Sequence, residues 1–233
     1  AAAPALYGYG RFIETRWTAV KTITLGRVPA GGSAPVRLAV VSDLHVENGG
    51  EPWASLARKV NAAEPDVILF LGDTLNRRSA LGAFKKFMKA MEAPRGKFAV
   101  RGNWDRWYWR DVPLLAGTGF EWLEGEKVTL EMGGRTVHLV GFPYEDGEDG
   151  GKAERMLASL PAKDWRIFLY HTPDLFHRVP SSDLYLAGHT HGGQIAVPFY
   201  GAFVTLSAFG KTFERGLRHM DGRWIYVNPG IGV

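Results

Sequence analysis

Across 233 residues the chain is 45% hydrophobic and 22% charged, a balance that excludes intrinsic disorder, collagen-like sequence and coiled coil. Its 28 Lys and Arg against 24 Asp and Glu leave a net +4, too mild for a nucleic-acid binder but suited to an anionic substrate or an acidic membrane surface. The absence of cysteine excludes a disulfide scaffold, thiol catalysis and any Cys-ligated metal, and no apolar run approaches the roughly 18 residues of a membrane helix.

The chain opens on Ala1 rather than Met, so it is expected to lack its native N-terminus; Ala1–Gly10 has neither a basic nor an apolar targeting region. Two stretches read as strands, Thr18–Leu25 and Val36–Ser42, separated by a turn around Pro29 and Gly31-Gly32. Pro52–Ala63 reads as a helix, with Trp53, Leu56 and Val60 on one stripe and Pro65 ending it. Val67–Leu71 is a continuous apolar run of buried-strand type, Ala80–Met91 a second amphipathic helix, and Lys97–Arg101 a further strand. This strand–helix alternation belongs to a sheet covered by helices.

The second half is richer in strands. Lys127–Glu131 and Arg135–Phe142 flank the hairpin pair Gly133-Gly134. After an acidic loop, Glu145–Gly151, and a short helix, Lys152–Leu160, come strands at Arg166–Tyr170, Leu184–Ala187, Gln194–Val197, Arg215–His219 and Trp224–Val227, the last two joined through Asp221-Gly222. With no repeat and no linker, one domain over 1–233 is expected. Its core motifs fall at about 36–230, and 1–35 forms an N-terminal strand and lead-in.

Five strand ends carry the chemistry. Val36–Val41 runs into Asp43 and His45, Val67–Leu71 into Gly72-Asp73, Phe98–Val100 into Gly102-Asn103, Ile167–Tyr170 into His171, and Leu184–Ala187 into Gly188-His189-Thr190-His191. Sheets with helical crossovers place ligands just beyond the carboxyl ends of their strands. Imidazole, carboxylate and amide oxygen are metal-binding groups. Seven such side chains exceed the needs of one tetrahedral ion and suit two ions about 3.5–4 Å apart that share a bridging carboxylate.

Asp43-x-His45, Gly72-Asp73, Gly102-Asn103, His171 and Gly188-His189-x-His191 resemble, in order, the five blocks of the calcineurin-like metallophosphoesterase superfamily. The run Gly188–Ile195 followed by Pro198–Gly201, and the closing Tyr226–Gly232, are similar to a bacterial branch found behind export or membrane segments. The resemblance implies an α+β fold of four layers, two mixed β-sheets flanked by helices. It implies one ion on Asp43, His45 and His191, another on Asn103, His171 and His189, and Asp73 bridging both. It implies catalytic roles for Asp73, Asn103 and His189, and two divalent cofactor ions, Mn²⁺ favoured over Zn²⁺ or Fe. The expected protein is a membrane-associated bacterial monomer hydrolysing a phosphorylated small molecule or lipid, with peripheral membrane contact and no nucleic-acid partner.

One position departs from the pattern. The third block usually reads Gly-Asn-His-Asp or Gly-Asn-His-Glu, whereas this chain has Gly102-Asn103-Trp104-Asp105. The block's histidine is held to protonate the leaving oxygen or to stabilise the transferring phosphoryl group, and an indole cannot transfer a proton. Either the enzyme is impaired, or its leaving group is stable as an anion, as in a pyrophosphate. Enzymes that cleave the pyrophosphate of UDP-2,3-diacylglucosamine in lipid A synthesis resemble the superfamily, and at least one family of them also lacks this histidine. Trp104, Trp107, Tyr108 and Trp109, interleaved with Arg106 and Arg110, suit an acyl chain beside phosphate or a membrane interface; alternatively they form the core face of a helix. Arg77-Arg78 could hold a second phosphate or be a solvated pair. Trp104, Arg77, Arg78, Arg106 and Trp107 are therefore the candidate substrate-binding residues. His138, His177 and His219 read as structural or surface residues, and Asp105 and Asp174 as local hydrogen-bonding groups. The rival to a hydrolase is a metal-binding but catalytically weak scaffold or interaction module at a membrane.

Overall fold

The computed structural model describes residues 18–26, 35–148, 150–192, 196–197, 201–202 and 207–231. Strand β1, Leu38–Val41, leads through helix α1, Glu51–Ala62, to β2, Val67–Phe70. A 3-10 turn, Arg78–Ala80, and helix α2, Leu81–Ala90, lead to β3, Lys97–Ala99. Then follow the short helix α3, Asn103–Tyr108, and β4, Glu121–Trp122. These four strands form one sheet in the order β1-β2-β3-β4, every pair parallel.

The second sheet holds β5, Glu126–Met132, β6, Arg135–Gly141, β7, Trp165–Leu169, and β8, Leu184–Ala187, with α4, Gly151–Ala158, between β6 and β7. A two-stranded pair, β9 at Ala196–Val197 and β10 at Gly201–Ala202, precedes β11, Gly216–Met220, and β12, Arg223–Val227. The order is β11-β12-β8-β7-β6-β5, parallel at its centre and antiparallel at both edges.

Strand alternation divides the core into the expected four layers. Val67, Leu69 and Leu71 face the second sheet, meeting Leu139, Ile167, Leu169 and Leu186. Ile68 and Phe70 face the other way, toward Leu56 and Val60 of α1 and Phe84, Phe87 and Met88 of α2. On the far side, Phe168 and Tyr185 pack under Ala153 and Leu157 of α4 and against Phe176. Truncating a fully buried leucine such as Leu69 to alanine costs about 2–5 kcal/mol in such a core.

Three expectations change. Of the two sheets expected to be mixed, the first is parallel throughout its described strands. Thr18–Leu25 belongs to no strand, and Val20 is 60% exposed: the stretch has strand-like residues but no pairing partner among the described residues. The two-residue β4 arises where no regular element is expected, and the short helix α3 realises in part the alternative reading of the 104–109 aromatics as a helix face. The expectations for 1–17, the turn at 27–34, Gly193–Ile195 and Pro198–Tyr200 lie outside the described residues.

Candidate metal centre

All five motif-bearing turns leave the carboxyl ends of parallel strands: β1, β2 and β3 from one sheet, β7 and β8 from the other. Hydrogen bonds stitch the two edges together. Leu71 O, at the end of β2, accepts from His171 Nδ1 at 2.7 Å. His189 N donates to both carboxylate oxygens of Asp43 at 3.0 and 3.1 Å. Asn228, after β12, donates from Nδ2 to Val40 O at 2.9 Å.

The turns are strained at the ligand positions. Asp43, His45, Asp73, His189 and His191 all have φ between 43° and 71°, a left-handed conformation uncommon for side-chain-bearing residues. Close approach also demands glycine at Gly102, where a Cβ would lie 2.8 Å from His171 Cε1 and would strike the Asp73 carboxylate.

The structure brings six of the seven expected ligands into two overlapping groups. Asp43, His45, Asp73 and His191 present ligand atoms within 4.8 Å of one another, and so do Asp73, His171 and His189, with Asp73 common to both. His45 Nε2 and His171 Nε2 stand 3.3 and 3.4 Å from Asp73 Oδ2, and His191 Nε2 stands 3.6 Å from Asp43 Oδ1. The seventh, Asn103, opens α3 beside the cluster. Its neighbour Trp104 donates from its backbone N–H to Asp73 Oδ1 at 2.9 Å.

The donor set fits divalent cations. His45 Nε2 and Asn103 Oδ1 are buried and have no hydrogen-bond partner among the described residues, an arrangement that costs about 1–3 kcal/mol per group unless something binds them. Nδ1 of His45 meets Asn76 Oδ1 at 2.9 Å and Nδ1 of His171 meets Leu71 O, which fixes both rings with Nε2 toward the carboxylates. The electrostatics show the same demand for positive charge. Burial would push Asp73 up, but His171 and then His45 hold it well below the usual carboxylate range. Burial would lower His171, yet the Asp73 and Asp43 carboxylates raise it to about 9.

Further residues hold the candidate ligands in place, and the sequence alone did not reveal Ser42 or Asn76 among them. Ser42 Oγ donates to Asp43 Oδ2, and Asn76 orients His45. Asp105, read as a local hydrogen-bonding group, accepts from the backbone N–H groups of Gly102, Asp73 and Thr74 and from Thr74 Oγ1, at 2.6–3.0 Å. Its burial, followed by the charge of Asp73, raises its pKa. Asp174 likewise accepts from Ser207 and Ala208. His138 is buried between Thr129 and Asp164, while His177 and His219 are exposed.

The candidate substrate residues divide. Trp104 stands edge-on to His45, ring centroids 5.6 Å apart, with Tyr108 behind it at 4.6 Å. Trp107 and Tyr108 are 52% and 58% exposed, whereas Trp109 packs into the core and donates to Leu75 O, so the helix is half core and half open face. Arg106 is occupied by an ion pair with Glu145 at 2.8 Å. Arg77 and Arg78 are exposed and form no ion pair among the described residues. Tyr144, not singled out in the sequence, lies edge-on to His171 at 6.4 Å.

Two facing sheets between helices, with carboxylates and imidazoles converging at their carboxyl edges, define a metal-dependent hydrolase of phosphate esters. The calcineurin-like phosphoesterase family matches residues 36–193, and the chain belongs to that family. It is 29% identical to an uncharacterized metallophosphoesterase, YkuE, of Bacillus subtilis, over 97% of this chain and 83% of that protein. It is 26% identical to a UDP-2,3-diacylglucosamine pyrophosphatase, LpxG, of Chlamydia muridarum, over 84% of this chain and 78% of that protein. The fold is shared with the phosphopantetheinyl hydrolase PptH of Mycobacterium tuberculosis, at a TM-score of 0.51 and 12% identity, covering 86% of this chain and 92% of that one.

Proposed function

We propose that the chain hydrolyses phosphodiesters or phosphoanhydrides at a centre of two divalent ions, Mn²⁺ favoured over Zn²⁺ or Fe, with a lipid-linked diphosphate such as UDP-2,3-diacylglucosamine as substrate. Asp43, His45 and His191 would hold one ion, Asn103, His171 and His189 the other, and Asp73 both. Bound there, the ions would lower the pKa of an attacking water and stabilise charge developing on the phosphoryl oxygens. Asp73 and Asp43 supply the negative charge, and Asn76 and the Leu71 carbonyl fix the rings of His45 and His171. Asn103 and His189 are assigned to stabilising the phosphoryl group.

The observation that carries the substrate class is Trp104. Its indole occupies the flank of His45 and offers no proton in the physiological range. Asp105 cannot stand in, because its two oxygens are committed to four donors. A leaving group that departs as a stable anion needs neither. The exposed faces of Trp107 and Tyr108 supply an apolar surface beside the site for an acyl chain or a peripheral membrane contact, and the similarity to LpxG supports the same reading. Among the described residues no helix is long and apolar enough to cross a membrane.

The test is turnover by Mn²⁺-loaded protein of bis(p-nitrophenyl) phosphate, UDP-2,3-diacylglucosamine and alkyl phosphate monoesters. Cleavage of the first two well above the third is expected. Absence of all turnover with both ions bound would leave a metal-binding scaffold in its place.

A further inference from the structure

Arg215 lies beside the turn that carries His189 and His191. Its aliphatic stem passes over Gly192, the residue after His191: a Cβ built at 192 would meet Arg215 Cδ at 3.6 Å and Nη1 at 3.9 Å. The contact is held by a hydrogen bond from Thr190 Oγ1, fully buried between the two ligand histidines, to Glu214 O at 2.6 Å. Arg215 is exposed and forms no ion pair among the described residues. The His191 ring is 5.0 Å from that of His45, and His45 is bonded to Asn76, the residue before the exposed pair Arg77-Arg78. The Arg215 guanidinium, with no ion pair among the described residues, therefore lies beside the residue that follows the His191 ring.

We infer that Arg215, beside Gly192 and the His191 ring, forms an anion subsite for the second phosphate of a diphosphate substrate, the one that leaves. This rests on the proposed phosphoanhydride hydrolysis and names a leaving-group site for it. As the oxygen of water bonds to the scissile phosphorus, the P–O anhydride bond breaks, its electron pair departs with the second phosphate, and the water's proton is released to solvent. The departing phosphate gains a negative charge that a planar guanidinium fork pairs in bidentate fashion. Positive charge at this point replaces the proton that a histidine in place of Trp104 would have delivered.

The experiment compares Mn²⁺-loaded wild type, Arg215→Ala and Arg215→Lys by calorimetric binding of methylenediphosphonate and methylphosphonate, and by the ratio of kcat/KM for a diphosphate diester over bis(p-nitrophenyl) phosphate. Wild type is expected to prefer the diphosphonate. Arg215→Ala should lower both that preference and the kinetic ratio by about 10–100-fold, the range for losing charge-assisted hydrogen bonds. Arg215→Lys, which keeps the charge without the fork, should fall between. Two Mn²⁺ bound per chain in the variants will show that the centre survives. Equal losses on both probes would overturn the subsite while leaving anhydride hydrolysis intact. A wild type that binds the two probes equally would overturn the subsite, and a wild type that cleaves the diester but no diphosphate would overturn the anhydride reading beneath it.

Discussion

His45 and Asn76 meet at 2.9 Å between Nδ1 and Oδ1, and Asn76 passes the interaction on from Nδ2 to Glu47 Oε1 at 3.3 Å. A neutral imidazole that donates from Nδ1 keeps its lone pair on Nε2, the atom facing Asp73, so the carboxamide selects the tautomer a metal ligand needs. Asn76→Ala is expected to weaken one of two Mn²⁺ sites by about 10–100-fold and to spare the other. Asn76→Asp, which still accepts, should retain most of the affinity. Calorimetric Mn²⁺ titration resolves the two sites, and equal weakening of both would show that Asn76 supports the whole loop rather than the ring.

Asp73 belongs to both ligand groups, so its neutralisation should be felt twice. Asp73→Asn is expected to retain fewer than two ions after gel filtration and to lose activity, because a bridging carboxylate offsets charge from both cations. Chelation of wild type makes the complementary prediction. Ligand present at 100 times its Kd stabilises the native state by about 2.7 kcal/mol. At roughly 2–4 °C per kcal/mol for a domain of this size, metal removal should lower Tm by about 5–10 °C for each ion lost. An unchanged Tm after verified metal loss would mean that the cluster is stable without cations.

Much of this centre was legible because it follows elements with strong signals. Val67–Leu71 is apolar without interruption because β2 is buried on both faces, and Gly72-Asp73 follows it directly. The same logic located Asp43, His171 and the His189–His191 pair. The residues that orient the ligands were not legible. Ser42 and Asn76 act on residues in left-handed turns whose geometry no spacing rule encodes, and Arg215 meets Gly192 through a contact between loops more than twenty residues apart. Helix α3 was legible only as one of two readings of its aromatics because Asn-Trp-Asp-Arg-Trp-Tyr has poor intrinsic helix propensity; Asp105 bonding back to Gly102 N and the packing of Trp109 hold it. Thr18–Leu25 failed in the opposite sense, since β-branched residues favour strands only where a partner strand exists.

Asp105 ties the second and third ligand turns together, accepting from Gly102, Asp73 and Thr74 while fully buried. Asp105→Ala leaves several buried donors unmet, each costing about 1–3 kcal/mol, so a stability loss of at least about 3 kcal/mol is expected in chemical denaturation. Mn²⁺ affinity should fall as well, because Asp73 and Asn103 lie on the released turns. Loss of stability with both metal sites at wild-type affinity would mean that the turns keep their shape without it.

The leaving-group dependence turns on Trp104. Its backbone N–H holds Asp73 and its ring packs against His45 and Tyr108, so the residue sits in the ligand shell while contributing no acid. Wild-type rates should therefore fall steeply as the leaving group becomes more basic. Aryl diesters and pyrophosphates should be cleaved far faster than alkyl monoesters, by about the 10²–10⁴-fold that positioned acid catalysis supplies. Trp104→His preserves the backbone bond to Asp73 and places an imidazole on the same helix position, so turnover of alkyl esters should rise while pyrophosphate cleavage changes little. The substitution also uncovers Tyr108, and affinity for acylated substrates should drop with it. The measurement is kcat/KM for a graded series of leaving groups in both proteins. With Asp105 fully committed, a flat dependence in wild type would point to a proton donor outside α3, such as Tyr144, whose ring stands edge-on to His171, and it would remove the argument for an anhydride substrate without touching the metal centre.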